Sequence, residues 1–139
     1  MKASPRMKAV IEKLAKKHAV DLSQEGAHFR LDMPGFDRLC VENIGVGRIS
    51  VAHYFVMNGD LVAEPDIEFL VDEKGAWLPL NITQSMTGFT RYAVFDSREE
   101  LIVENERGQR QLADFANTWA NNIEAQGWLE NGVKYDYRT

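Results

Sequence analysis

Ile49-Ser50-Val51-Ala52-His53-Tyr54-Phe55-Val56-Met57-Asn58-Gly59-Asp60-Leu61-Val62-Ala63-Glu64-Pro65-Asp66-Ile67-Glu68-Phe69 is the stretch on which the fold turns. Ile49, Val51, Tyr54, Phe55 and Val56 are β-branched or aromatic, side chains that fit a pleated, half-buried surface, so Arg48–Met57 reads as the strongest strand of the chain. Asn58-Gly59 after it is a hairpin signal, because a type I′ turn needs positive φ at both central positions. Such a turn sets Met57 opposite Asp60. Carried on unchanged, the register puts His53 opposite Glu64 and Asp66 opposite Val51 on the same face. An imidazole beside two carboxylates favours its charged form. Pro65 keeps a second reading open, since proline has no N–H for the ladder. The second strand then stops at Ala63 or runs along an edge; alternatively Met57–Pro65 is a loop and Asp66–Val71 pairs with Arg48–Val56.

Working outward, Ser4-Pro5 has the order of an N-cap and first helical position. Met7, Val10, Ile11, Leu14 and Ala15 then recur at helical spacing against Lys8, Glu12, Lys13, Lys16 and Lys17, giving a basic amphipathic helix within residues 1–20. Phe29, Leu31 and Met33 alternate with His28, Arg30 and Asp32 up to a break at Pro34-Gly35. A second strand runs to Ile44, and Gly45 and Gly47 mark the next turn. Asp72–Gly75 is a turn into Ala76–Ile82; Phe89–Phe95 and Leu101–Val103 are again strand-like. Short connections favour antiparallel neighbours, so residues 27–104 read as an antiparallel meander sheet of five to seven strands. Leu112, Phe115, Ala116, Trp119 and Ile123 restore the helical period in a C-terminal helix over 107–128, with Gly127 as its stop. Residues 131–139 read as a frayed tail. The expected architecture is a single α+β domain, 1–139, with both helices on one face of the sheet.

Composition narrows the function classes. The chain has 139 residues, 45% of them apolar and 27% charged, which excludes a disordered or fibrous protein. Its formal charge of −5 argues against nonspecific nucleic-acid binding as the default. That total hides a layout: residues 1–20 carry six basic side chains and one acid, a sum of +5, while the remainder sums to −10. The plain reading is a solvated helix face beside an acidic body; the sharper one is a basic lever that meets nucleic acid, acidic lipid or an acidic partner. Cys40 is the single cysteine, no apolar leader follows Lys2, Arg6 and Lys8, and no window approaches the roughly 18 apolar residues that span a bilayer. A cytoplasmic location with no membrane association is expected, and Cys40 reads as a small buried residue.

The unusual chemistry lies between His53 and Glu68. His53, Tyr54, Asn58, Asp60, Glu64 and Asp66 are the candidate binding residues. Oxygen ligands with one histidine invite a metal, yet the spacing matches no metal motif and no second histidine lies nearby. An acidic solvated edge is the stronger reading. No metal, no cofactor and no catalytic residue is therefore assigned. Gly-x-Ser-x-Gly, a phosphate loop and a dinucleotide fingerprint are all absent from the sequence. Trp77 and Trp119 belong in the core, whereas Trp128, Tyr135 and Tyr137 suggest exposed aromatics that mediate self-association.

The runs Ile49–Tyr54, Asn58-Gly59-Asp60-Leu61 and Pro65–Phe69 resemble a small domain family encoded by bacteria, phages and plasmids. Its members share a Ser-Val-Ala-His-Tyr run, then Asn-Gly-Asp, then an acidic-proline step and a strand ending in Phe. The similarity covers about residues 36–129, through Trp77-Leu78-Pro79 to Gly127-Trp128. Glu64 stands where an aspartate is expected before the proline, which weakens a catalytic role there. The resemblance implies a compact domain in a mobile-element or prophage context, with no assigned activity. The functional expectation is a noncatalytic protein-interaction module with an acidic surface, acting through its acidic sheet face or the Asn58–Asp66 segment. One form of it presents carboxylates where phosphates would sit, on a nucleic-acid-binding surface of a host defence protein. The alternatives are a small metal-assisted enzyme using His53 and nearby carboxylates, and nucleic-acid binding through the N-terminal helix.

Overall fold

The computed structural model describes residues 1–135. The first helix, α1 (Pro5–Lys17), buries Met7, Val10, Ile11, Leu14 and Ala15, the stripe that the spacing predicts. It starts at Pro5, as the Ser4-Pro5 order predicts, and ends at Lys17, just short of the expected end. Ser4 occupies the N-cap position but makes no side-chain cap; its N–H donates to the Trp77 carbonyl at 2.8 Å and its hydroxyl to the Ala113 carbonyl at 3.1 Å. It ties the helix to its neighbours instead.

Six strands follow in a meander: β1 (His28–Asp32), β2 (Arg38–Gly45), β3 (Arg48–Met57), β4 (Asp60–Val71), β5 (Trp77–Gln84) and β6 (Gly88–Arg91). Each pairs antiparallel with the next. Phe89–Phe95, which reads as one strand, is divided at Tyr92. The Tyr92 carbonyl accepts the N–H groups of Glu104 and Asn105, at 2.8 and 3.1 Å, and the chain leaves the sheet. Beyond it β7 (Ala93–Phe95) and β8 (Leu101–Val103) form a separate two-stranded ribbon. The C-terminal helix is α2 (Glu106–Gln126), continued after Gly127 by the single turn α3 (Trp128–Asn131). Asn105 caps α2 by accepting from the Gly108 N–H at 2.9 Å, and Gly127 ends it at φ 89°, a left-handed conformation that glycine adopts without steric cost.

The C-terminal stretch differs from a frayed tail. Val133–Lys134 forms β9 on the free side of β1, and the Tyr135 N–H donates to the Arg30 carbonyl at 2.8 Å. Tyr137 and the rest of 136–139 lie outside the described residues. The main sheet then has seven strands in the order β6-β5-β4-β3-β2-β1-β9.

α1 and α2 pack on one face of this sheet. A single cluster joins their apolar stripes to Phe29, Leu31, Leu39, Val41, Ile49, Val51, Ile67 and Phe69. Alternation dictates the rest: in β1–β4 the residues between these point to the opposite face. Trp77 and Trp119 are buried, as their positions predict. Phe115 departs from expectation and is 42% exposed. The buried face of α2 is centred on Ala113, Ala116 and Ala120, and Phe115 falls well to one side of that line at 100° per residue. Trp128 is also not an exposed tail aromatic: it is fully buried, with ring contacts to Phe36 at 6.0 Å and His53 at 5.7 Å.

Candidate functional site

The β3–β4 hairpin places the candidate residues, and its register combines both readings of the sequence. Asn58 (φ 52°) and Gly59 (φ 84°) make the turn, and Met57 pairs with Asp60, Val56 with Leu61, Phe55 with Val62 and Tyr54 with Ala63. Between Tyr54 and Ala52 the register slips by one residue at Glu64-Pro65, where proline cannot donate to the ladder. Beyond the slip Asp66 pairs with Ala52, not Val51, and Glu68 pairs with Ser50.

That slip turns Asp66 to the face opposite His53. The expected His53–carboxylate grouping does not form. His53 points toward the helices, its ring 5.5 Å from that of Trp119 and 5.7 Å from that of Trp128, with Nδ1 3.0 Å from the Asp37 carbonyl. Burial lowers its pKa from the usual value, the reverse of the shift that flanking carboxylates would give. Glu64 lies apart from both: its carboxylate accepts the Ser85 N–H at 2.7 Å and the Ser85 hydroxyl, which fixes the β5–β6 loop. Asn58 and Asp60 stay at the exposed hairpin tip. Among the described residues no three His, Cys, Asp or Glu side chains gather around a point where a metal ion would sit.

Tyr54 and Asp66 are the two predicted residues that the structure brings together. The Ser50 hydroxyl donates to Asp66 Oδ1 at 2.8 Å and the Tyr54 hydroxyl to Oδ2 at 3.1 Å. Burial raises the Asp66 pKa, against the effect of these two bonds. Burial and the adjoining Asp66 charge push the Tyr54 phenol up to about 12.

This trio lies in a cleft of about 640 Å³ on the face of β1–β4 opposite α1 and α2. Strand pairing aligns its walls. One row runs Arg30, Cys40, Ala52, Asp66; the next runs His28, Glu42, Ser50, Glu68. Cys40 is half-buried on this open face, with burial raising its thiol pKa while Arg30 and Arg38 work against the rise. Arg38 holds Asp32 through Nε at 2.8 Å and Nη2 at 3.3 Å, and its guanidinium lies 3.7 Å from the centre of the Tyr135 ring. At the far end Arg48 sits 3.6 Å from Glu68 and under the Phe95 ring, so the β7–β8 ribbon covers the face there and the cleft ends. The rim toward the hairpin tip is apolar: Val56 and Leu61, a cross-strand pair, are 69% and 70% exposed.

Ser50, Cys40, Arg30, Arg38, Glu42, Val56 and Leu61 all went unnoticed as site residues in the sequence. The signal for them was the phase of the alternation. On every strand they are the residues between the core positions.

A family model described as Domain of unknown function (DUF6908) matches residues 6–129, from the first turn of α1 into α3. No curated protein and no solved structure matches the chain significantly.

Proposed function

This chain belongs to the DUF6908 family, whose domain has no assigned function, and for it we propose a noncatalytic binding module that receives a protein partner on the open face of β1–β4. The observation that carries this reading is the cleft itself. Its floor is polar and half-buried, its rim at Val56 and Leu61 is apolar and exposed, and no helix among the described residues covers it. Exposed apolar side chains grouped at the edge of a cleft mark a surface that contacts another molecule. Ser50 hydrogen-bonds Asp66 in the cleft with no imidazole beside them, because His53 lies across the sheet. The Asn58–Asp60 tip stands at the rim, so the segment that carries the family resemblance borders the same surface.

The setting belongs to the same proposal. It is a cytoplasmic accessory protein of a mobile element or prophage, supported by the likeness of the Ser50–Tyr54 and Asn58–Asp60 runs to that family and by the lone thiol. The identity of the genes beside its own tests that part: a chromosomal housekeeping operon would count against it.

Selection from a displayed random-peptide library tests the binding role. The full chain is expected to recover related sequences rich in apolar residues. Leu61→Glu should lose them, and Asn122→Lys, on the exposed side of α2, should keep them. A failure to enrich any related set, or equal recovery by Leu61→Glu, would overturn the proposal.

A further inference from the structure

We infer that the cleft seats one arginine side chain of the partner, its guanidinium on Asp66 between Ser50 and Tyr54. The inference rests on the open face being the binding surface, and it adds the chemistry of the occupant.

Charge complementarity gives the sign. The side chains lining the cleft include five carboxylates (Asp32, Asp37, Glu42, Asp66 and Glu68) and two guanidiniums, of Arg30 and Arg38. Both guanidiniums are engaged. Arg38 is held by Asp32 through two bonds and stacks on Tyr135, and Arg30 stands opposite Cys40 in the strand register, where its charge favours the ionised thiol. An anionic ligand would have to displace these contacts and meet the surplus of carboxylates. A cationic one meets neither obstacle.

Hydrogen-bond geometry gives the shape. Asp66 is half-buried, and the described residues offer it two neutral hydroxyl donors and no ion pair. A carboxylate has about four acceptor sites, two on each oxygen. Ser50 takes one on Oδ1 and Tyr54 one on Oδ2, so each oxygen keeps one. Two parallel N–H groups of a guanidinium fit a pair of acceptors so spaced, whereas an ammonium delivers a point charge. Ala52, paired with Asp66, and Cys40 beyond it are the small residues of that row. The aliphatic stem and its apolar neighbours then lie against Val56 and Leu61. Burial already works against the ionised form of Asp66, so a cation arriving there relieves an existing cost and lowers the carboxyl pKa.

The test titrates the ¹⁵N-labelled full chain with two blocked pentapeptides. One has arginine between leucines; the other has citrulline there, which keeps the shape and removes the charge. Saturable shifts at the Ser50, Tyr54 and Asp66 amides are expected with the first, and affinity about tenfold or more weaker with the second. Asp66→Asn should make the two peptides equivalent. Tyr54→Phe, which keeps the ring and removes one donor, should weaken the arginine peptide several-fold, and it serves if the Asn variant fails to fold. Equal affinity for the two peptides with shifts at Val56 and Leu61 would overturn the arginine pocket and leave the binding role standing. No saturable shift on this face with either peptide would overturn the pocket as well, and with an unenriched library it would remove both.

Discussion

Asp66 and His53 occupy opposite faces of one hairpin, and their titrations pull stability in opposite directions. Burial holds the His53 pKa below the usual 6.5, so the unfolded chain takes up a proton first as the pH falls. Its contribution is complete above 6.5 and is lost as the pH drops from there toward the lower folded value. His53→Gln, with no charge to gain, should flatten that part of a plot of unfolding midpoint against pH. Asp66 behaves conversely: burial raises it, so its contribution is complete in acid and is lost as the pH rises through the raised value. Asp66→Asn should therefore gain stability relative to the native chain between acid and neutral pH, by urea unfolding at each pH. Tyr54 offers an optical check. Tyr54 should ionise late in an ultraviolet titration, and Asp66→Asn should bring it earlier. Tyr54→Phe leaves a half-buried carboxylate one donor short and should cost about 1 kcal/mol of stability.

Element by element, the sequence was clear where a single physical preference acted alone. Asn58-Gly59 specified its turn, and the β-branched run specified β3. Leu112, Ala116 and Ile123 specified the face of α2. It was ambiguous where two preferences met. Pro65 announced a disturbed ladder, yet alternation by itself does not say whether a strand ends at a proline or passes it with a slip of one residue. That single residue decided the candidate site, because it sent Asp66 to the face opposite His53. Tyr92 was a similar case: Phe89–Phe95 has uninterrupted strand composition, and the break comes from its carbonyl bonding to Glu104 and Asn105, residues distant in sequence. The start of α2 is held against the same tyrosine. A Cβ on Gly108 would stand 2.4 Å from the Tyr92 ring and 2.8 Å from Asn105 Nδ2. Gly108→Ala should cost roughly 1–3 kcal/mol through that overlap, although alanine is the better helix former. Asn105→Ala, which removes the cap, should cost about 1 kcal/mol; denaturant midpoints measure both.

Across the whole molecule, the split between a +5 N-terminus and a −10 remainder has a structural counterpart. Arg6 meets Glu124 at 3.0 Å and Asn121 at 2.9 Å, Lys2 pairs with Asp114, Lys13 lies 3.9 Å from Glu124, and the Lys17 ammonium donates to the Leu129 carbonyl. The helix that reads as a lever for nucleic acid thus directs much of its charge at α2 and α3. Such exposed pairs contribute little each, so exchanging Lys13 for Gln should leave stability nearly unchanged in a urea titration. Deleting α1 would be a different experiment, since Met7, Val10, Ile11, Leu14 and Ala15 belong to the core and their loss should unfold the chain. With α1 and α2 on one side, the opposite face of β1–β4 carries no helix among the described residues, and the proposed partner would dock there. The most direct test is an amide chemical-shift map of the ¹⁵N-labelled chain with a peptide recovered from the library. The account predicts shifts centred on Cys40, Ser50, Tyr54, Leu61 and Asp66; a map centred on α1 and α2, around Lys13 and Glu124, would contradict it.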